Sequence, residues 1–202
     1  MRDKTRAVVE MTLGLIVIAG TVQADPTLIT TCPTVITSPG RYVLAADLIC
    51  GAGTGILITS SDVTLALEGH RITAGPGTNM VFSTAISNSL NSGGILTVAS
   101  VADVHILGPG LITNGGANAF SAGVLFFAEV TQSEVNGITV LGSSFAGIDA
   151  DFGGNGNSGT GLTGLTFTAN TLGRNSTGIM ATGCGYFGTT AKYTENQQVR
   201  VI

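Results

Sequence analysis

The sequence predicts an all-β fold, a solenoid of parallel strands, and three observations predict it. The first is GILITSSDVTLALEGHRIT, residues 55 to 73, where Ile56 and Ile58, then Val63, Leu65 and Leu67, then Ile72 recur at alternate positions. Alternation at period two marks strands with one buried face. The second is what separates these runs: Ser-Ser and Glu-Gly-His lack the Asn-Gly or Asp-Gly of a two-residue hairpin, so successive strands turn corners and find their hydrogen-bond partners elsewhere. The third is repetition. Gly94-Ile-Leu-Thr-Val, Asp103-Val-His-Ile-Leu and Gly110-Leu-Ile-Thr preserve the order of the first copy. Gly123-Val-Leu-Phe-Phe, Gly147-Ile-Asp-Ala-Asp and Gly178-Ile-Met-Ala-Thr restart it, at intervals of roughly thirty residues. A single copy cannot bury its apolar face, so stacked copies build the core and each strand pairs with its counterpart one winding away.

From the N-terminus, Arg2, Lys4 and Arg6 precede the apolar stretch Met11 to Gly20, which runs into the small-residue cleavage pattern Val22-Gln23-Ala24. Residues 1–24 are therefore predicted to be a secretory signal peptide. The stretch falls short of the ~20 apolar residues that span a bilayer, so the membrane is involved only through this peptide. The remainder is long enough for one domain with one continuous core. In an exported chain, oxidation is the default, and Cys32 and Cys50 are predicted to form a disulfide. Cys184 is then left over, as a buried small hydrophobe or, in the alternative, as one half of an intermolecular bridge. A net charge of -4 argues against nucleic acid as a partner. Charged residues are only 10% of the chain, so Ser, Thr, Asn and the backbone must carry solubility. The alternating Ile, Leu and Val runs argue against disorder despite 30 Gly.

Two other β or repeat architectures fit less well. A leucine-rich repeat requires a Leu-x-x-Leu-x-Leu frame that the chain lacks. A β-sandwich would use Asn114-Gly115, Asn136-Gly137 and Asn155-Gly156 as hairpin turns, but it gives no reason for the recurring Gly-aliphatic starts. The segment Thr37-Ser-Pro-Gly-Arg-Tyr-Val-Leu-Ala-Ala-Asp-Leu-Ile-Cys50, followed by Gly55-Ile-Leu-Ile and Val63-Thr-Leu-Ala-Leu-Glu-Gly-His-Arg-Ile-Thr73, resembles the N-terminal part of secreted right-handed parallel β-helix proteins of the pectin-lyase-like superfold. The resemblance covers about residues 32 to 182. It implies a single right-handed parallel β-helix, with residues 25–54 as its N-terminal cap and residues 55–202 as coils. It says little about activity, because members include polysaccharide lyases, hydrolases, sugar-binding modules and adhesins. The strand-like end Gln198-Val-Arg-Val-Ile202 carries no cap, so the chain is expected to be a truncated product or to self-associate through its open C-terminal end.

If the residue after each starting glycine points inward, then Ile56, Ile95, Val124, Ile148 and Ile179 line the core. Leu57, Leu96, Leu125, Asp149 and Met180 then form an outward column, and Thr59, Val98, Phe127, Asp151 and Thr182 a second. A face this apolar calls for cover by the insertions Gly77 to Gly93 and Gly153 to Gly161, or else for a ligand or partner seated on Leu57, Leu96, Leu125, Phe127 and Met180. Asp149 and Asp151 interrupt it. At i and i+2 on a strand they project about 7 Å apart, within the separation of an inverting glycosidase's acid and base. A lyase reading has these two hold calcium, with Asn155 and Asn157, while Arg174 acts as base; calcium wants more oxygens than these provide, so no cofactor is assigned. His70 and His105 have no Cys or carboxylate at metal spacing and are expected to be satisfied structural histidines. Glu68, Glu129 and Glu134 are expected to be isolated and solvated. The functional expectation is a secreted binding or surface-structural module facing polysaccharide through polar rows. The alternatives are a polysaccharide hydrolase or lyase centred on Asp149 and Asp151, and a fragment without independent function.

Overall fold

The computed structural model describes residues 24–78, 84–87, 89–92, 95–127, 130–151, 162–182 and 199–201. Residues 1–23, which hold nearly all of the expected signal peptide, Glu129, the Gly153 to Gly161 stretch with Asn155 and Asn157, and Cys184 lie outside the described residues. In chain order the strands are β1 (Thr27–Ile29), β2 (Thr34–Ile36), β3 (Gly40–Leu44), β4 (Leu48–Cys50), β5 (Thr54–Ile58), β6 (Val63–Ala66) and β7 (Arg71–Ala74). There follow β8 (Thr84–Ser87), β9 (Ser89–Ser92), β10 (Ile95–Val98), β11 (Val101–Ala102), β12 (Val104–Thr113), β13 (Ala122–Phe127) and β14 (Val130–Thr131). The last are β15 (Glu134–Leu141), β16 (Ala146–Asp151), β17 (Thr166–Thr168), β18 (Thr171–Gly173), β19 (Thr177–Thr182) and β20 (Val199–Val201). Among the described residues there is no helix.

Apart from the β9–β10 and β19–β20 pairs, consecutive strands do not pair with each other among the described residues. One sheet runs β2-β5-β8-β13-β16-β19-β20, and every pair in it is parallel. The other runs β1-β3-β6-β12-β15-β17, with β4, β7 and β18 continuing its windings. Each strand thus bonds to its counterpart in the next winding, the pairing of a parallel β-helix-like solenoid. Residues 27–50 already belong to this lattice, since β1 pairs β3, β2 pairs β5 and β4 pairs β7. Chain reversals at corners use a stacked left-handed residue: Asp62, Asp103, Gln132 and Gly164 have φ of 55°, 56°, 50° and 66°. Asp is among the few residues that tolerate this region, which explains why two strands open on Asp-Val.

Inward side chains stack column upon column. Ile56, Ile86, Val124, Ile148 and Ile179 line the first sheet, and Leu65, Ile106 and Val135, then Ile72, Ile112 and Val140, line the second; all are fully buried. Burying each such side chain stabilises the fold by about 1.5–3 kcal/mol. The recurring glycines have a packing cause. A Cβ on Gly123 would lie 2.8 Å from the Gly147 carbonyl oxygen and run into Val140, and one on Gly147 would lie 2.8 Å from the Gly178 carbonyl oxygen. At Gly55 the disulfide occupies that space, with Cys50 Sγ 2.9 Å and Cys32 Sγ 3.0 Å from such a Cβ. The Cys32–Cys50 bond expected from the sequence is formed.

One start is misplaced in the sequence reading. Gly94-Ile-Leu-Thr-Val does not begin the second winding: Ile95–Val98 forms an antiparallel ribbon with Ser89–Ser92. The register slot belongs to β8, where Thr84 pairs Thr54 and Ile86 pairs Ile56, so Ala85 stands where Gly55 stood. Leu96 and Val98 therefore leave the outward columns, and Ser87 replaces Leu96, between Leu57 and Leu125. Alternation alone cannot separate a ribbon from a coil strand, because both have period two.

Where β15 bends at Gly137, its ladder is interrupted and side chains from the next winding fill in. Asn170, 1% exposed, accepts the Ile138 N–H at 3.1 Å and donates to the Val135 carbonyl at 2.8 Å. Asn175 does the same at the following corner, accepting from Ser143 N–H at 2.8 Å and donating to Val140 at 3.0 Å. Replacing Asn170 with Ala strands two buried backbone groups, and the expected cost is roughly 3 kcal/mol, read as a lower urea midpoint with unchanged slope.

Candidate functional site

Two faces of the solenoid carry chemistry. The first is the outward side of the sheet that contains β16. Its column runs Val35, Leu57, Ser87, Leu125, Asp149 and Met180. This column is largely covered, not open: Leu57 is 8% exposed, Ser87 2%, Asp149 7% and Met180 6%. Over its first half the cover is the inserted ribbon, whose β9 lies against β5 and β13. Leu125 and Phe127 are half-buried, so of the residues expected to seat a ligand or partner, Leu57 and Met180 are withdrawn from solvent.

Asp149 is the anomaly of that face. Its strand neighbours along the column are Leu125 and Met180, and its Oδ1 is buried with no hydrogen-bond partner. Burial, with a further contribution from the charge of Asp151, pushes its pKa up from 3.8 to about 7. A carboxyl in this state exchanges its proton near neutrality, as a general acid must. Asp151, two residues on, is half-buried and pairs across the ladder with Phe127 and Thr182. Arg174 sits at the exposed left-handed corner between β18 and β19, with φ of 56°, and the charge that acts on Asp149 is that of Asp151. No group of three or more His, Cys, Asp or Glu with metal-binding geometry occurs among the described residues.

The second face is the outward side of the other sheet, and it is solvent-facing. Register places Arg41, Thr64, His105, Glu134 and Thr166 in one column, and Val43, Ala66, Leu107, Asn136 and Thr168 in the next. Arg71, Leu111, Thr139 and Thr171 form a third column, and Ile49, Thr73, Thr113 and Leu141 a fourth. With windings about 4.8 Å apart, the columns run roughly 20 Å along the stack; the first two lie before the Gly137 bend and the last two after it. All of these side chains are half-buried or exposed except Ala66.

His105 is the node of this face. Its Nε2 lies 2.8 Å from Asp103 Oδ1 and its Nδ1 2.9 Å from Glu134 Oε1. Two carboxylate acceptors require both ring nitrogens to donate, which is the imidazolium form. Burial alone lowers the His105 pKa, but the hydrogen bonds to Glu134 and Asp103 outweigh it and hold it above the ordinary value of 6.5. Glu134 is therefore not isolated, as the sequence suggested, and neither is Glu68, whose Oε1 lies 3.3 Å from Arg41 Nη2. His70 contacts Asp47 at 3.3 Å, and Asp47 also accepts the Arg71 N–H at 2.9 Å. Sequence reasoning missed this face because the third copy of the Asp-Val start is Gln132-Ser133. Aligning Gln132 with Asp103 would have put Glu134 beside His105.

The His105 contacts join two windings, and their pH dependence has a definite sign. A raised folded-state pKa gives stability that is full below pH 6.5 and lost as pH rises through the folded value. The expected result for His105→Gln is a larger drop in Tm at pH 5.5 than at pH 8.5, measured by thermal melts across that range.

Compared with protein-family models, curated proteins and solved structures, the chain matches none of them. What defines its class is architecture: an all-β chain whose parallel strands stack in two long sheets, with one covered carboxyl and one open polar face.

Proposed function

We propose that the chain is an exported right-handed parallel β-helix of the pectin-lyase-like kind, working as a binding or surface-structural module that faces polysaccharide. The observation that carries this reading is the open outward face of the sheet containing β12 and β15. It is regular along the stack and mixes Thr hydroxyls and Asn136 with half-exposed Leu107, Leu111 and Leu141. A sugar chain presents the same alternation of hydroxyls and apolar ring faces. The Cys32–Cys50 bond supports export, since such bonds persist in oxidising compartments. The test is affinity electrophoresis of the folded protein through gels carrying a panel of polysaccharides, backed by a glycan array. Unretarded migration in every gel, with a blank array, removes the reading.

Asp149 favours a second reading, a polysaccharide hydrolase in which Asp149 is the acid and Asp151 the base. Its support is the carboxyl held at about pH 7 beside a second carboxyl. Its difficulty is access, because Asp149 is 7% exposed. Reducing-sugar and unsaturated-product assays on the wild type, Asp149→Asn and Asp151→Asn decide it, and equal rates in all three exclude the pair from catalysis.

A further inference from the structure

Resting on the polysaccharide-facing reading above, we infer that the open face takes an uncharged polysaccharide and rejects acidic ones. The ground is charge complementarity. Among the described residues, three of the four basic side chains on or beside the face have a carboxylate against them: Arg41 has Glu68, His70 has Asp47, and His105 has Asp103 and Glu134; Asp47 also accepts the Arg71 N–H, which sets its negative charge near the fourth, Arg71. A uronate or sulfate entering the face meets the carboxylates that already hold Arg41, His70 and His105, and like charges placed together at an interface oppose binding. The remaining described arginines lie away from these columns, Arg174 at a corner and Arg200 in β20 of the other sheet. The chain as a whole is acidic, with a sequence pI near 4.9, so long-range attraction also runs against a polyanion. A neutral chain meets no such opposition. Its ring faces lie over Leu107 and Leu111, and its hydroxyls reach Thr113, Thr139 and Asn136, all half-buried and facing out.

The test uses the folded chain in affinity electrophoresis against mixed-linkage β-glucan, xyloglucan and dextran as neutral probes, and polygalacturonate and alginate as acidic ones. The expected result is retardation by at least one neutral polymer, unchanged between low salt and about 0.5 M salt, where surface electrostatics is largely screened. No retardation by either acid is expected at low salt. Leu111→Glu and Thr139→Arg, each first shown to melt like wild type, are expected to weaken neutral binding about tenfold by setting a charge under the sugar. Glu68→Gln combined with Asp47→Asn frees cations and is expected to create retardation by polygalacturonate. Binding to the acidic polymers alone overturns this inference and leaves the polysaccharide reading standing. Neutral binding that ignores both face substitutions overturns the assignment to this face. No binding to any polymer overturns the parent reading itself.

Discussion

Asp149→Asn is expected to stabilise the protein at pH 8 and to do little at pH 4. In the native state the Asp149 carboxyl is buried between Leu125 and Met180, with Oδ1 unpartnered, and its pKa stands at about 7 against 3.8 for a free aspartate. A folded-state pKa raised above the unfolded value means that the native state binds the proton more tightly. The slope of stability with pH is then negative. The neutral acid's stability is fully present below about pH 4 and lost as pH rises towards 7, and the curve is flat above that. Three units correspond to about 4 kcal/mol, a large share of the 5–15 kcal/mol of a typical domain. Asparagine keeps the shape and cannot ionise, so it removes this loss. Urea melts of both proteins at pH 4, 6 and 8 measure it. Parallel curves for the two would mean that the carboxyl is solvated, and the hydrolase reading would lose its support.

Gly147→Ala is expected to destabilise the protein by about 3 kcal/mol, at the upper end for overpacking in a close-packed core. The added Cβ meets the Gly178 carbonyl oxygen at 2.8 Å, Asn175 Nδ2 at 2.8 Å and Leu172 Cδ2 at 3.1 Å. The first of these is backbone of the next winding, held by the β16–β19 ladder, and it cannot rotate away. The second is the amide that satisfies the corner at Val140 and Ser143, so displacing it exposes those groups too. Gly173→Ala is the control. There the one near atom is Leu141 Cδ2 at 3.1 Å, the far end of a flexible side chain, and the expected change is under about 1 kcal/mol. Chemical denaturation of both variants, with far-ultraviolet dichroism to confirm the strands, separates them. Equal losses would mean that the recurring glycines mark turn geometry and not close approach between windings.

These two residues also show how far local sequence carries. Gly147 was conspicuous as a repeat marker, yet the Gly94 start carried the same signature and the strand after it, Ile95–Val98, pairs antiparallel with Ser89–Ser92 instead of along the stack. Asp149 and Asp151 were conspicuous as charges in an apolar column. Their alternation on a strand followed from period two, but the 7% exposure of Asp149 did not. Burial of an outward position depends on what folds over it, and that is a contact between segments far apart in the chain. The pairing of His105 with Glu134 was hidden for the same reason. It needs the register of two windings, which the unequal lengths of the intervening corners obscure.

By itself the sequence determined the strand character of the chain, the inward columns apart from Ile95, whose slot Ile86 fills, the axial pairing of most strands and the Cys32–Cys50 bond, because period-two burial and cysteine spacing are local properties. The tertiary structure alone decided which segment fills each slot in the stack and which outward face stays open. It also decided that Asp149 is desolvated while His105 is held between two carboxylates. Those outcomes depend on dielectric environment and on distances between windings, quantities that no single stretch of residues contains.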